Sequence, residues 1–319
     1  MTASMRVSPA RYRQVTYAAL GVCTLIVLTG AGVRLTGSGL GCPDWPRCDG
    51  ARLTPELHIH GLIEFGNRVM TSIVAIPCLA AAVLAFFRTP FRRDIALLAL
   101  LLPLGVAAQA VWGGFTVIYD LAPVWVIMHF LLSMLLLIAC VALVWRATYE
   151  LDDPPRSTDR VSTWSVRALL LPGAATLAGG TIATAAGPHA GGEGTGDIID
   201  RITWHGAETM EWAIQRHGST AAFFGLAAVG VWFLLRARRA NPQAQTAMTA
   251  VCVLMACQGF VGVSQYALEL PAELVWLHVA LATFTWLALL WAVAAAGRDA
   301  PAPSQPSAPV PERELARSR

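Results

Sequence analysis

The sequence predicts an all-α integral membrane protein. Eight spanning helices form two tandem, pseudo-symmetric four-helix bundles, with both ends of the chain in the cytoplasm. Three observations carry this reading. Of the 319 residues, 55% are hydrophobic and 13% charged, with a mean hydropathy of +0.55, whereas soluble domains carry about 25% charged residues. Eight apolar runs approach or exceed the roughly 20 residues that cross a bilayer as a helix. An internal repeat relates the halves. Only helices or closed barrels satisfy the backbone in lipid, and the strand alternation that marks a barrel is absent.

Taken in order, residues 1–14 are a polar cytoplasmic N-terminus with Arg6, Arg11 and Arg13. The first span is expected at about 15–33; its length and the lack of a cleavage site before Arg34 set it apart from a signal peptide. A loop rich in Gly, Pro and Cys follows to Ile59. The next spans are expected at about 60–87, 95–118 and 124–145, completing a first unit over 15–150. A polar linker, 151–163, carries Pro154, Pro155, Arg156 and Arg160. The second unit, 164–297, holds spans at about 164–185, from within 203–212 to 235, 245–268 and 272–296. The tail, 298–319, is rich in Pro, Ser and Ala and reads as disordered.

All 23 basic residues are Arg, and the net charge of +3 is too small to indicate nucleic acid. The Arg residues collect at the N-terminus, the tail and alternate loops. The positive-inside rule places these in the cytoplasm, so the Cys-bearing loop faces outward. Five of the seven Cys lie in apolar runs and read as small buried hydrophobes. Cys42 and Cys48 differ: Cys42-Pro-Asp-Trp-Pro-Arg-Cys48 is a short, Pro-stiffened loop on the oxidising face, suited to a structural disulfide or a reversible redox pair.

The repeat is read from registered features. Gln109-Ala-Val-Trp-Gly113 precedes His129 by twenty residues, and Gln258-Gly-Phe-Val-Gly262 precedes His278 by the same twenty. Asp120-Leu121 and Glu269-Leu270 stand at equal distances before each His, giving an offset of 149. Nearly the same offset brings Asn67 onto His217 and Thr36 onto Thr184. Such tandem repetition implies parallel units.

The polar residues at depth then form a constellation. Glu64 and Asn67 open helix 2, His129 opens helix 4, His217 lies near the start of helix 6 and His278 opens helix 8. Two imidazoles facing each other across a bundle core, His217 and His278, suit axial ligation of a haem iron. A single buried His is equally well read as an interhelical hydrogen-bonding residue; repeat-equivalent placement favours ligation. A bare transition-metal ion is disfavoured because no carboxylate or thiolate co-ligands cluster at that level. His58, His189 and His205 read as surface or loop-packing residues. His60 reads the same way, with an accessory role as an alternative, two turns above Asn67. Leu62-Ile-Glu-Phe-Gly-Asn-Arg68 places a carboxylate, an amide and a guanidinium within about one turn, costly at a membrane unless they face a protein interior. Glu64 reads as an ion-pair partner of Arg34 or Arg68.

Over about residues 15–296 the chain resembles the haem A synthase family. The resemblance rests on Val33-Arg-Leu-Thr-Gly-Ser-Gly-Leu-Gly-Cys-Pro-Asp-Trp-Pro-Arg-Cys48, Ile63-Glu-Phe-Gly-Asn-Arg68, Gly187-Pro-His-Ala-Gly191 and the His of helices 4, 6 and 8. It implies oxidation of a haem O methyl group, through an alcohol, to the formyl group of haem A for haem-copper terminal oxidases. It also implies a haem b cofactor ligated by His217 and His278, a substrate-haem site at His129 and Asn67, and a role for Glu64 in proton transfer or charge stabilisation. Cys42 and Cys48 match a loop cysteine pair. The expected setting is the bacterial plasma membrane with the haem sites toward the outer face. Expected partners are haem O, lipid, a haem O synthase, quinol or another electron donor, and oxidase assembly factors. The alternative reading is a non-catalytic di-haem cytochrome in quinol-linked electron transfer. Asn67 departs from the family pattern, which has His there, and the second unit lacks the loop cysteines of some members.

Overall fold

In the computed structural model, residues 6–149, 156–157 and 159–299 are described. Residues 1–5 of the expected N-terminal segment, 151–155 and 158 of the expected linker, and 300–319 of the expected disordered tail lie outside the described residues. Among the described residues, eight helical segments are long and apolar enough to cross a membrane, so the chain is a multi-pass membrane protein. Large apolar side chains such as Leu226, Phe260 and Ile76 stand exposed along them, a surface suited to lipid and unfavourable in water.

The helices are α1 Pro9–Leu35, α2 Ile59–Phe87, α3 Arg93–Ile118, α4 Pro123–Thr148, α5 Arg160–Ala168, α6 Leu170–Ala186, α7 Thr209–Ala237, α8 Pro242–Ala267 and α9 Ala272–Ala295. Two expectations are corrected. α1 begins at Pro9 rather than 15. Its start is set by Ser8, whose hydroxyl accepts the Arg11 N–H (3.4 Å), and by Pro at the first helical position. Hydropathy marks the lipid-matched part of a helix, whereas caps mark its ends. The fifth span is two helices, broken at Leu169. Pro172 cannot donate to the carbonyl of Ala168, the residue at which α5 ends.

α1 packs on α2 and α4, and α3 on the same two, closing one ring. α6, α7, α8 and α9 pack in the same cyclic order. α1 and α4 meet α9, and α4 meets α6. Two indoles fasten this seam: Trp276 Nε1 donates to the Leu28 carbonyl (3.0 Å) and Trp286 Nε1 to that of Met134 (3.1 Å). Val7 bridges to Arg88, and Arg156–Ser157 pairs in parallel with Arg298–Asp299. These bridges bring both described chain ends to the arginine-rich end of the bundle.

Local geometry recurs between the rings. The α3–α4 turn holds Asp120 and Leu121 at φ 48° and 55°, and the α8–α9 turn holds Glu269 and Leu270 at φ 61° and 63°. In each turn the Leu N–H donates 2.7 Å to a carbonyl five residues earlier, Thr116 or Gln265. L-residues rarely adopt this left-handed conformation, so the paired turns are a specific likeness. At the opposite end from the chain termini the loops interlock. Gly39 N–H donates to the Gly191 carbonyl (2.7 Å) and Gly194 N–H to that of Gly37 (3.0 Å). Leu40, Val117, Leu121, Ala190 and Ile199 form a small separate core beneath them.

Candidate functional site

Each of the three deep histidines lies against a glycine of the preceding helix. A methyl group at Gly180 would stand 3.1 Å from His217 Cε1, one at Gly262 3.1 Å from His278 Cε1, and one at Gly113 3.2 Å from His129 Cε1. A side chain at any of the three would press on the ring, which would have to give by a few tenths of an ångström. Asn67 keeps the same relationship to Gly30, more loosely, at 3.9 Å from its Nδ2.

In the second ring of helices His217 and His278 face each other, ring centroids 6.1 Å apart and planes at 80°. His217 Nδ1 lies 3.1 Å from the Thr176 carbonyl oxygen. A carbonyl can only accept, so Nδ1 carries a proton, and in the neutral imidazole the Nε2 lone pair is then the free one, the tautomer a metal ligand needs. His278 Nδ1 is buried with no partner, while Gln258 Nε2 donates to the His278 carbonyl at 3.1 Å. The separation fits a haem that His217 and His278 would hold between them: two metal–imidazole bonds of about 2 Å each, plus ~1 Å from each ring centre to its nitrogen, would roughly span it. Among the described residues no group of three or more His, Cys, Asp or Glu converges as a metal cage; if a haem is bound here, the two imidazoles would be its donor set.

In the first ring, Asn67 and His129 line one cavity together with Gln109, Thr71, Ser133 and Val74. Thr29 donates to Asn67 Oδ1 (2.8 Å), which fixes the amide. Gln109 Nε2 donates to the His129 carbonyl (3.2 Å), as Gln258 does to that of His278, and also to Ser133 Oγ (2.7 Å). Gln109 Oε1 and His129 Nδ1 are buried without partners, polar atoms whose burial is costly unless something accepts or donates there.

Glu64 is buried and lies outside that cavity lining. Its Oε1 takes both Arg68 Nη2 (2.5 Å) and Nε (3.1 Å), and Oε2 accepts the Cys42 N–H (2.6 Å). Arg68 Nη2 also reaches the Cys42 carbonyl (2.8 Å), and Nη1 the carbonyls of Asp44 (2.8 Å) and Arg47 (2.9 Å). All five guanidinium N–H donors are thereby used. Of the two arginines expected as partners of Glu64, Arg68 takes the place and Arg34 does not. Arg34 instead crosses to the second ring, donating to the Thr184 carbonyl (3.0 Å). Its side chain leaves the last turn of α1 toward the end of α6. His60 bonds Ser38 Oγ through Nδ1 (2.9 Å), and its ring lies against Gly194, away from the cavity of Asn67 and His129. His58 caps α2, accepting the Gly61 N–H (3.1 Å). Cys42 and Cys48 are joined as a disulfide and buried in the loop.

Sequence reasoning passed over Thr29, Thr176 and Gly180. It passed over Arg201 and Glu193 as well. Arg201 Nη2 shares the Thr184 carbonyl (2.6 Å) and reaches that of Gly187 (2.5 Å). Burial depresses the Arg201 guanidinium, against the opposing pull of Glu193. Burial acts to raise the Glu193 carboxyl, but N–H donors of its own backbone, Gly191 and Ala190 outweigh it and hold the group below its ordinary value. The equal Gln-to-His spacing was the one signal in sequence for the two amides.

A family model described as cytochrome oxidase assembly protein matches residues 13–290. Relatives named heme A synthase include one from Lysinibacillus sphaericus, 35% identical over 129 residues, 40% of this chain and 42% of the relative. One from Bacillus pumilus is 33% identical over 116 residues, 36% and 38% of the two chains. One from Bacillus licheniformis is 29% identical over 144 residues, 43% and 47%. The chain thus spans under half the length of the curated relatives it matches.

Proposed function

Because the chain belongs to the cytochrome oxidase assembly protein family, we propose that it is a haem A synthase. It oxidises a methyl group of haem O, through an alcohol, to the formyl group of haem A, which haem-copper terminal oxidases use. The observation that carries this reading is the inequality of two repeat-related sites. One offers facing imidazoles, His217 and His278. The other offers one imidazole, His129, and an amide, Asn67, around a cavity. A pair of equivalent electron-carrying haems would call for two alike sites.

A haem b resident in the second site supplies one-electron redox chemistry. His217 and His278 hold it, and the Thr176 carbonyl fixes the His217 tautomer. At the first site His129 would hold the substrate haem O, and Asn67, pinned by Thr29, would offer it no strong ligand. Glu64 handles a proton or stabilises positive charge developing at the reacting carbon, and Arg68 with the Cys42 N–H orients it. The tandem four-helix units, the cytoplasmic termini and the disulfide end facing outward from the bacterial plasma membrane belong to the same proposal. So do a haem O synthase that supplies substrate, a quinol or other electron donor, and oxidase assembly factors that take the product.

The experiment is to co-express the chain with a source of haem O and extract the pigments. Haem A, or its hydroxylated precursor, is the expected product. Bound haem b without either pigment would return the chain to the non-catalytic cytochrome reading.

A further inference from the structure

Two guanidiniums converge under the interlocked loops. Arg34 arrives from α1 in the first ring and Arg201 from the loop before α7, and both donate to the single carbonyl of Thr184 at the end of α6. Each keeps an Nε–H that is buried and without a partner. Like charges do not share one neutral acceptor without cost. The nearby anion, Glu193, acts on both through space but pairs directly with neither: its oxygens accept the Ala190 and Gly191 N–H groups (2.5 and 2.8 Å). Among the described residues no ion pair joins Glu193 to either arginine. Capping the α6 C-terminus, where Arg201 holds the Thr184 and Gly187 carbonyls, needs one cation; it explains neither the second charge on Thr184 nor the two unpartnered Nε–H groups.

The location supplies one. Thr184 stands one helical turn beyond Gly180, the glycine that accommodates His217. The guanidiniums therefore sit at the disulfide-end edge of the facing imidazole pair. Guanidinium forks match carboxylates better than any other anion-binding side chain.

We propose that Arg34 and Arg201 form a carboxylate-binding site that takes the propionate edge of the tetrapyrrole held by His217 and His278, so that each half of the chain contributes one cation to the haem in the second half. This rests on the proposed haem b site and deepens it. It orients the macrocycle with its acidic edge toward the loops, and it makes haem binding a bond between the two rings of helices.

The test uses the full chain produced under haem limitation, in detergent. It is titrated with iron protoporphyrin IX or with its dimethyl ester, which lacks the carboxylates, and binding is followed at the Soret band. Wild type is expected to favour the free acid by about tenfold or more, the scale of a charge-assisted hydrogen bond. Arg34→Gln and Arg201→Gln should each erase most of that preference, and Arg34→Lys and Arg201→Lys should restore part of it. Comparing ratios within one detergent removes the different partitioning of the two porphyrins. A free-acid preference unchanged in both Gln variants, with only thermal stability reduced, would show that the arginines merely cap α6 and would overturn the proposal. Binding of both porphyrins by wild type without preference would overturn it too, leaving the imidazole pair intact. Failure of wild type to bind either would remove the haem b site itself and this proposal with it.

Discussion

Glu64 and Arg68, one turn apart on α2, are joined through Glu64 Oε1 to Arg68 Nη2 at 2.5 Å, while the rest of the guanidinium holds three carbonyls of the disulfide loop. The carboxylate is thus attached to the loop on both sides, through Arg68 and through the Cys42 N–H. Two variants separate chemistry from anchoring. Glu64→Gln keeps acceptor and shape; haem A formation should fall about 100-fold or more, the usual scale for a lost acid–base group, with the resident haem spectrum unchanged. Arg68→Lys has three donors on a point charge in place of a five-donor fork and should cost roughly 2–4 kcal/mol of stability. Pigment analysis and thermal melts read the two; equal activity losses with equal destabilisation would reduce Glu64 to an anchor.

Asn67 marks the difference between the two sites. Asn67→His restores the residue found at the equivalent position of the second ring, with Gly30 leaving room beside it. With haem O bound, the first-site signal should pass from high-spin to low-spin, and activity should drop as the iron's free face is filled. An optical or EPR spectrum that does not change would count against His129–Asn67 as the substrate site.

His217→Ala and His278→Ala should each remove the low-spin haem b spectrum. Gly180→Ala should weaken it with both ligands still present, since the added methyl would meet His217 Cε1 at 3.1 Å. Overpacking of this kind costs about 1–3 kcal/mol. Retention of a full low-spin band in both His variants would sink the ligand assignment.

Glu193 gives the loops a pH dependence. Its carboxyl is held below its ordinary value in the folded protein by N–H donors that outweigh the effect of burial. Such a group contributes stability that is fully present above its unfolded pKa, about 4.3, and lost as pH falls through the lower folded value. Melting temperature in detergent should therefore decline below about pH 4, and Glu193→Gln should flatten that decline. An identical acid limb in the variant would assign the loss to other carboxylates.

The membrane fold was legible because lipid demands long apolar runs, and the deep histidines because the repeat aligned them. What stayed hidden was contact across the chain. The Glu64–Arg68 pair can be read from its i,i+4 spacing, but the three loop carbonyls on Arg68 cannot, since backbone acceptors leave no residue signature. Arg34 looked like a partner for Glu64, its neighbour on the adjacent helix; its real acceptor, Thr184, lies 150 residues away. Thr176 acts through its carbonyl, so its side chain carries no hint of the role. The break at Leu169 was foreshadowed by Pro172, yet an apolar run alone does not distinguish one helix from two.

The crossing hydrogen bonds of Gly39 with Gly191 and of Gly37 with Gly194 bear on how this architecture can be recombined. Helices from two family members could be grafted end to end at the linker and still span the bilayer. The seam between their loops would then be drawn from different parents. Chimeras should tolerate exchange when residues 36–41 travel together with 187–201, and fail when they are parted. The heritable unit is the clasp, and the bundles are what it fastens.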